Sequence, residues 1–148
     1  GTCAVTDLTG AFAGAALDEP IGAWDVSGVT TLRHAFREAA VVPFLGLAAW
    51  DVSSVVSMRG TFLECQEFDE DISGWDVGGV ADFGEMFAGA AAFQYDLSAW
   101  DVGSATSMYA MFNWASAFGA ELCWDVPAEV NTFLMFRHAG GGSLRSTC

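Results

Sequence analysis

The feature that most constrains this chain is an internal repeat of about 25 residues. Trp-Asp-Val occurs five times, at Trp24, Trp50, Trp75, Trp100 and Trp124, spaced 26, 25, 25 and 24 residues apart. Twelve residues after each Trp stands a Phe (Phe36, Phe62, Phe87, Phe112, Phe136), and three beyond that a small residue (Ala39, Cys65, Ala90, Ala115, Ala139). Val29, Val55, Val80 and Ala105 follow the first four Trp by five, and Leu32, Met58, Phe83 and Met108 by eight. A fixed period of this length is the signature of stacked units that share one continuous core.

The ends depart from the pattern. Val5, Leu8, Phe12 and Ala15 fit the second half of a repeat whose Trp half is missing. The last unit contains Pro127, moves its apolar positions to Val130 and Phe133, and runs into Gly140-Gly141-Gly142. The expected organisation is one repeat domain over 1–148. A partial cap at 1–23 precedes units 24–49, 50–74, 75–99 and 100–123, and 124–148 forms an atypical last unit.

Within a unit, the Trp and Val of Trp-Asp-Val share one face and the Asp takes the other, which reads as a very short strand. Apolar positions five, eight, twelve and fifteen after Trp lie three, four and three apart, the spacing of one helix face. Thr30, Ser53 and Ser54 stand where such helices would be capped. A return loop adds Phe44, Phe68, Phe93 or Phe118 and an Ile or Leu before the next Trp. The expected fold is α/β: a leucine-rich-repeat-like, right-handed solenoid with one short parallel strand and one short helix per repeat. A β-helix is the alternative. The Trp column, Trp24 included, is expected in the core.

Composition excludes several classes. The chain has 148 residues, 53 % hydrophobic and only 16 % charged, so a packed domain is expected. Nineteen acids against five arginines and no lysine give a net charge of −14, which disfavours nucleic acid and anionic membranes as partners. The longest apolar stretch, Ala39–Trp50, is interrupted by Pro43 and is too short to span a bilayer. Membrane insertion is therefore not expected, whereas association with a membrane complex is compatible with the sequence. Gly1–Cys3 carry no basic flank or apolar core, so no targeting segment is expected within the chain.

The pattern W-D-V-S-x-V-x-x-M-x-x-x-F, followed by A-x-x-F-x-x-D-[LI]-S-x-W, is clearest from Trp50 through Phe62 and from Phe93 to Trp100. It resembles the BspA-like leucine-rich-repeat surface proteins of mycoplasma lipoproteins and of secreted protist and algal proteins. The resemblance covers nearly the whole chain. It implies a surface or adhesion scaffold and carries no catalytic residues. The absence of Lys and the presence of only two Asn and two Ile point to a GC-rich source such as an alga or protist.

Asp25, Asp51, Asp76, Asp101 and Asp125 form a column that would stack at about 5 Å. They either ligate Ca²⁺ or accept backbone N–H groups of the following turn, and recurrence in every unit favours the turn. Glu67, Asp69 and Asp71 are the candidate cation ligands. Asp69-x-Asp71-x-Ser73-Gly74 begins like an EF-hand loop, but Val80 stands where the bidentate Glu belongs. No cofactor is otherwise expected. A Cys123–Cys148 disulfide should pin the C-terminal end and imply an oxidising compartment, extracellular or lumenal. Cys65 falls in the small inward column. Cys3 is free, pairs between chains, or reaches Cys65.

His34 and His138 lie about four repeats apart without a metal or catalytic motif, and no nucleophile elbow, P-loop, dinucleotide fingerprint or C-x-x-C occurs. Catalysis is not expected. Two outward columns change character along the chain: Arg33, Arg59, Gly84, Tyr109, Phe133, and Glu38, Glu64, Gly89, Trp114, His138. Trp114, Tyr109 and Phe133, with Arg33, Arg37 and Arg59, therefore make a candidate partner-binding strip, because exposed aromatics anchor interfaces. The expected function is a non-enzymatic scaffold for protein–protein interaction or a subunit of a larger assembly. The alternative is a Ca²⁺- or glycan-binding adhesion module.

Overall fold

The computed structural model describes residues 4–41, 45–146 and Cys148. Cys3 and Phe44 lie outside the described residues. Among the described residues there is no α-helix. The regular elements are β1 (Ala16–Leu17), β2 (Ala40–Val41), a 3-10 turn at Leu47–Ala49, β3 (Glu121–Leu122) and β4 (Ser143–Leu144). β1 pairs with β2 and β3 with β4, both in parallel.

The leucine-rich-repeat solenoid with a helix in every repeat is thus overturned, and so is the strand expected at Trp-Asp-Val. The repeats form turn-rich coils laid one on another. A ladder of single parallel bridges runs Asp7↔Thr31↔Ser57↔Asp82↔Ser107↔Asn131, one rung per repeat. The coil-on-coil pairing is what the β-helix alternative shares, but its strands here are no longer than two residues.

Hydrogen bonding explains why a helical spacing makes no helix. In the second coil the amides of Leu32, His34, Phe36 and Glu38 donate across to the carbonyls of Ser57, Arg59, Thr61 and Leu63. The amides between them, Ala35, Arg37 and Ala39, close local turns onto Leu32, His34 and Phe36. Alternate N–H groups therefore serve two different partners, three residues back or one coil on, and none bonds four residues back as an α-helix requires. The turns need a left-handed residue at two columns, ten and fourteen after Trp. Gly10 (φ 63°), His34 (φ 53°) and Gly60 (φ 61°) fill the first, and Gly14 (φ 68°), Glu64 (φ 57°) and Gly89 (φ 73°) the second. Left-handed backbone repeated twice per coil is incompatible with a right-handed helix.

The helix-like spacing nevertheless aims side chains inward. Phe12, Phe36, Phe62, Phe87, Phe112 and Phe136 stack with ring centroids 5.1–5.7 Å apart along the coils. A second file, Phe68, Phe93 and Phe118, packs face on against it at 3.8–4.2 Å. Offset stacking of this kind adds to the burial of the rings.

The Trp column locks neighbouring coils. The indole N–H groups of Trp50, Trp75, Trp100 and Trp124 donate to the carbonyls of Ile21, Leu47, Ile72 and Leu97 at 3.0, 2.8, 3.3 and 2.9 Å. Each of those carbonyls also accepts the backbone amide of the Trp three residues on, in its own coil. One carbonyl thus uses both lone pairs, and the Ile or Leu that carries it, three residues before Trp24, Trp50, Trp75 and Trp100, buries its side chain in the core. Trp24 is the exception. It is 49 % exposed, packs on Phe12, and makes no indole hydrogen bond among the described residues. The expectation that it is a core residue is corrected accordingly.

Candidate functional site

Four of the five residues of the acidic column hold turns, and the fifth, Asp125, is followed two residues on by Pro127, which has no N–H to donate. Asp25, Asp51, Asp76 and Asp101 each accept the backbone amide two residues on, at 2.9–3.2 Å. Asp71 and Asp96 do the same for Ser73 and Ser98. Hydroxyl donation from Ser27, Ser53 and Ser73, with the amide bonds, holds Asp25, Asp51 and Asp71 below the ordinary carboxylate range. Ser53 therefore serves its Asp rather than a helix start, and Thr30 donates its hydroxyl to the Thr6 carbonyl of the preceding coil.

The candidate cation ligands are spoken for separately. Asp71 holds its turn, Asp69 accepts from the Gln94 amide at 3.0 Å, and Glu67 lines a groove described below. Their neighbour Glu70 receives the amides of Gly46 and Leu47 at the start of the 3-10 turn. Among the described residues, no group of three His, Cys, Asp or Glu converges as metal ligands would.

Cys123 and Cys148 form the expected disulfide, with Cα atoms 5.6 Å apart. Cys65 is fully buried and donates its thiol to the Ala39 carbonyl at 3.1 Å. Burial first, and Glu67 second, push this thiol up to about 12, so it packs as a small apolar group and is a poor nucleophile. The disulfide, and the lack of any helix among the described residues long and apolar enough to cross a membrane, are compatible with a secreted protein or one in an oxidising compartment.

Apart from Arg33, the binding-strip residues each have local partners. Trp114 is 59 % exposed and stacks on His138 at 4.0 Å. Phe133 is 67 % exposed and stacks on the half-buried Tyr109 at 6.3 Å. Arg37 pairs with Glu38, and Arg59 with the half-buried Glu85, each at 2.8 Å. Arg33 is exposed and, among the described residues, in no ion pair. Burial, then Arg33 and Arg37, lower the His34 pKa, so this imidazole stays neutral near pH 7.

What adjoins Trp114 is a furrow that spacing alone did not reveal. One stretch is lined by Glu38, Ala39, Ala40, Glu64, Gln66 and Glu67; the next by Glu64, Gln66, Gly89, Ala91, Trp114 and Ser116. The two share Glu64 and Gln66 and cross successive coils, with carboxylates at one end and the indole at the other. The Glu64 carboxylate lies over Gly89, where a Cβ would stand 2.6 Å from it and turn that flexible side chain aside. The signal in the sequence was the run Glu38, Glu64, Gly89, Trp114 in a single column.

No curated protein and no solved structure matches the chain. A family model described as "Mycoplasma protein of unknown function, DUF285" matches residues 1–42 and 32–143. These segments take in most of the repeats described above, and the chain belongs to that family.

Proposed function

We propose that the chain is a non-catalytic binding module that holds a protein partner along this furrow. The observation that carries the reading is the exposed Trp114, set at one end of a groove whose other end is acidic. An indole face takes an apolar or cationic side chain, and Glu38, Glu64 and Glu67 favour basic ones. The partner class is a protein presenting an extended, basic segment. A net charge of −14 speeds encounter with such a partner. The likeness to BspA-like surface proteins, together with the disulfide, supports a place outside the cell or in an organelle lumen, including as a subunit of an assembly there.

The test is affinity isolation from the native source with the wild-type chain, Trp114→Ala, and Glu64→Gln. A stoichiometric protein kept by the wild type and lost by both variants supports the proposal. A partner retained equally by all three, or a chain that binds no protein but gains thermal stability with Ca²⁺, overturns it.

A further inference from the structure

The columns fourteen and sixteen after Trp change in bulk across three successive coils. Glu64 and Gln66 stand on the first, Gly89 and Ala91 on the second, and Trp114 and Ser116 on the third. All six line one stretch of the furrow. The middle coil is thus stripped to a floor, with longer side chains rising on both sides of it. Coils stack at about 5 Å, so the two walls stand roughly 10 Å apart at the backbone. The left-handed backbone of this column does not by itself demand the glycine. Glu38, Glu64, Trp114 and His138 hold that conformation with side chains, at φ 55–62°. What Gly89 supplies is space.

The two walls differ in chemistry. His138, one coil beyond Trp114, covers one face of the indole, with centroids 4.0 Å apart and planes 25° from parallel. Gly89, one coil before Trp114, leaves the opposite face without a side chain from its own column. From the far wall the Glu64 carboxylate reaches across and lies over Gly89. Glu64 is in no ion pair among the described residues, whereas Glu38, in the same column one coil back, is paired with Arg37 at 2.8 Å. The exposed Gln66 adds an amide oxygen beside it. A flat group stacked on the open indole face sits about 4 Å from it, level with Gly89, so the carboxylate meets its edge.

A face for stacking and a carboxylate at the edge select a planar cation. A guanidinium stacks on an indole and forks two N–H groups toward a carboxylate lying in its plane. An ammonium is a compact point charge and satisfies one wall at a time. We infer that this slot takes an arginine side chain of the partner, its guanidinium stacked on the free face of Trp114 and donating to Glu64. Gln66 accepts beside Glu64, and Gly89 and Ala91 form the floor. The inference rests on the furrow being the partner site and names the side chain that the furrow reads.

Titration of the full chain with three peptides tests it: acetyl-Gly-Gly-Xaa-Gly-Gly-amide with arginine, lysine or citrulline at the centre. Citrulline keeps the planar shape of arginine without the charge. The reporter is the indole N–H resonance of Trp114, identified by its loss in Trp114→Ala. The arginine peptide should shift this resonance and bind about fivefold more tightly than the lysine peptide, and the citrulline peptide should not bind. Glu64→Gln should weaken the arginine peptide about fivefold. Gly89→Ala should weaken it too, with indole and carboxylate both present, because the methyl occupies the floor and turns Glu64 aside. Gly14→Ala, in the same column at φ 68° with open space at its Cβ, carries similar backbone strain and should bind as the wild type does. Similar thermal midpoints of the two glycine variants exclude unfolding as the cause. Equal binding of the arginine and lysine peptides overturns the inference, as does a citrulline peptide that matches arginine. So does wild-type binding by Gly89→Ala, or a resonance that moves with maltotriose and not with the arginine peptide. The titration uses no native partner, so the slot and the furrow fail separately. A native protein captured through Trp114, with no arginine preference in the titration, refutes the slot alone. Arginine binding with no captured protein refutes the partner site alone.

Discussion

Replacing Trp75 by Phe isolates the device that joins one coil to the next. Trp75 is 4 % exposed, and its indole donates to Leu47 at 2.8 Å. Phenylalanine keeps the six-membered ring and the aromatic contact with Phe62, but loses the N–H and leaves a gap. The Leu47 carbonyl keeps the Trp50 amide, so it is not stranded, and the lost bond costs about 1 kcal/mol. The side chain shrinks by roughly 40 Å³, which at ~24 cal/mol per Å³ adds about 1 kcal/mol if the cavity does not collapse. The sum is about 2 kcal/mol. Trp24→Phe is the internal control: same residue, same place in the repeat, but half exposed and without the indole bond, so its cost should stay within about 0.5 kcal/mol. Urea unfolding with the disulfide intact, followed by far-ultraviolet circular dichroism, reads both. Equal losses at the two sites would refute the claim that the indole bond to the preceding coil is what the Trp column contributes.

Other consequences are open to equally direct checks. Gly14→Ala places a Cβ in open space at φ 68°, so its cost is conformational, about 1 kcal/mol; Gly74→Ala, with open space and no positive φ, should be neutral or slightly stabilising in the same melts. Removing the disulfide by Cys123→Ser/Cys148→Ser should cost about 3 kcal/mol, seen as early loss of amide protection in the last coil. Asp7, Asp25, Asp51 and Asp71 have folded pKa values below the ordinary value of about 3.8. Their contribution is therefore complete above that value and is lost as pH falls through the lower folded values. Thermal midpoints should hold steady at higher pH and drop in acid, less steeply in Asp51→Asn; an unchanged slope in that variant would count against the turn assignment. Trp114→Ala, exposed in the folded chain, should abolish partner capture while changing stability by no more than about 0.5 kcal/mol.

The period, the inward columns and the disulfide were all legible in the sequence, because they depend only on which residues recur. The local conformation was not, and the reason is physical. Turns closed every three residues and helices both place apolar side chains three and four apart, so spacing does not separate them. What separates them is backbone sign and hydrogen-bond destination. A signal for each was present: Gly10, Gly14, Gly60 and Gly89 fall inside the supposed helices, where each would cost about 1 kcal/mol. Asp7, Thr31, Ser57, Asp82, Ser107 and Asn131 form an unbroken column of short polar residues, and Asp7, Asp82 and Asn131 accept the amide two residues on through a side-chain oxygen. Trp114 was identified as an exposed aromatic, but its furrow depends on Glu64 lying over Gly89, a contact between coils 25 residues apart.

The central claim is that each repeat is a coil bonded sideways to its neighbours and, among the described residues, contains no α-helix. Nuclear Overhauser contacts between backbone protons in solution test it most directly. The account predicts contacts linking Thr31 to Ser57, Ser57 to Asp82 and Asp82 to Ser107, with positive φ couplings at Glu38, Glu64 and Trp114. Unbroken runs of sequential amide contacts with helical three- and four-residue neighbours over 32–39, 58–65 and 83–90 would contradict it.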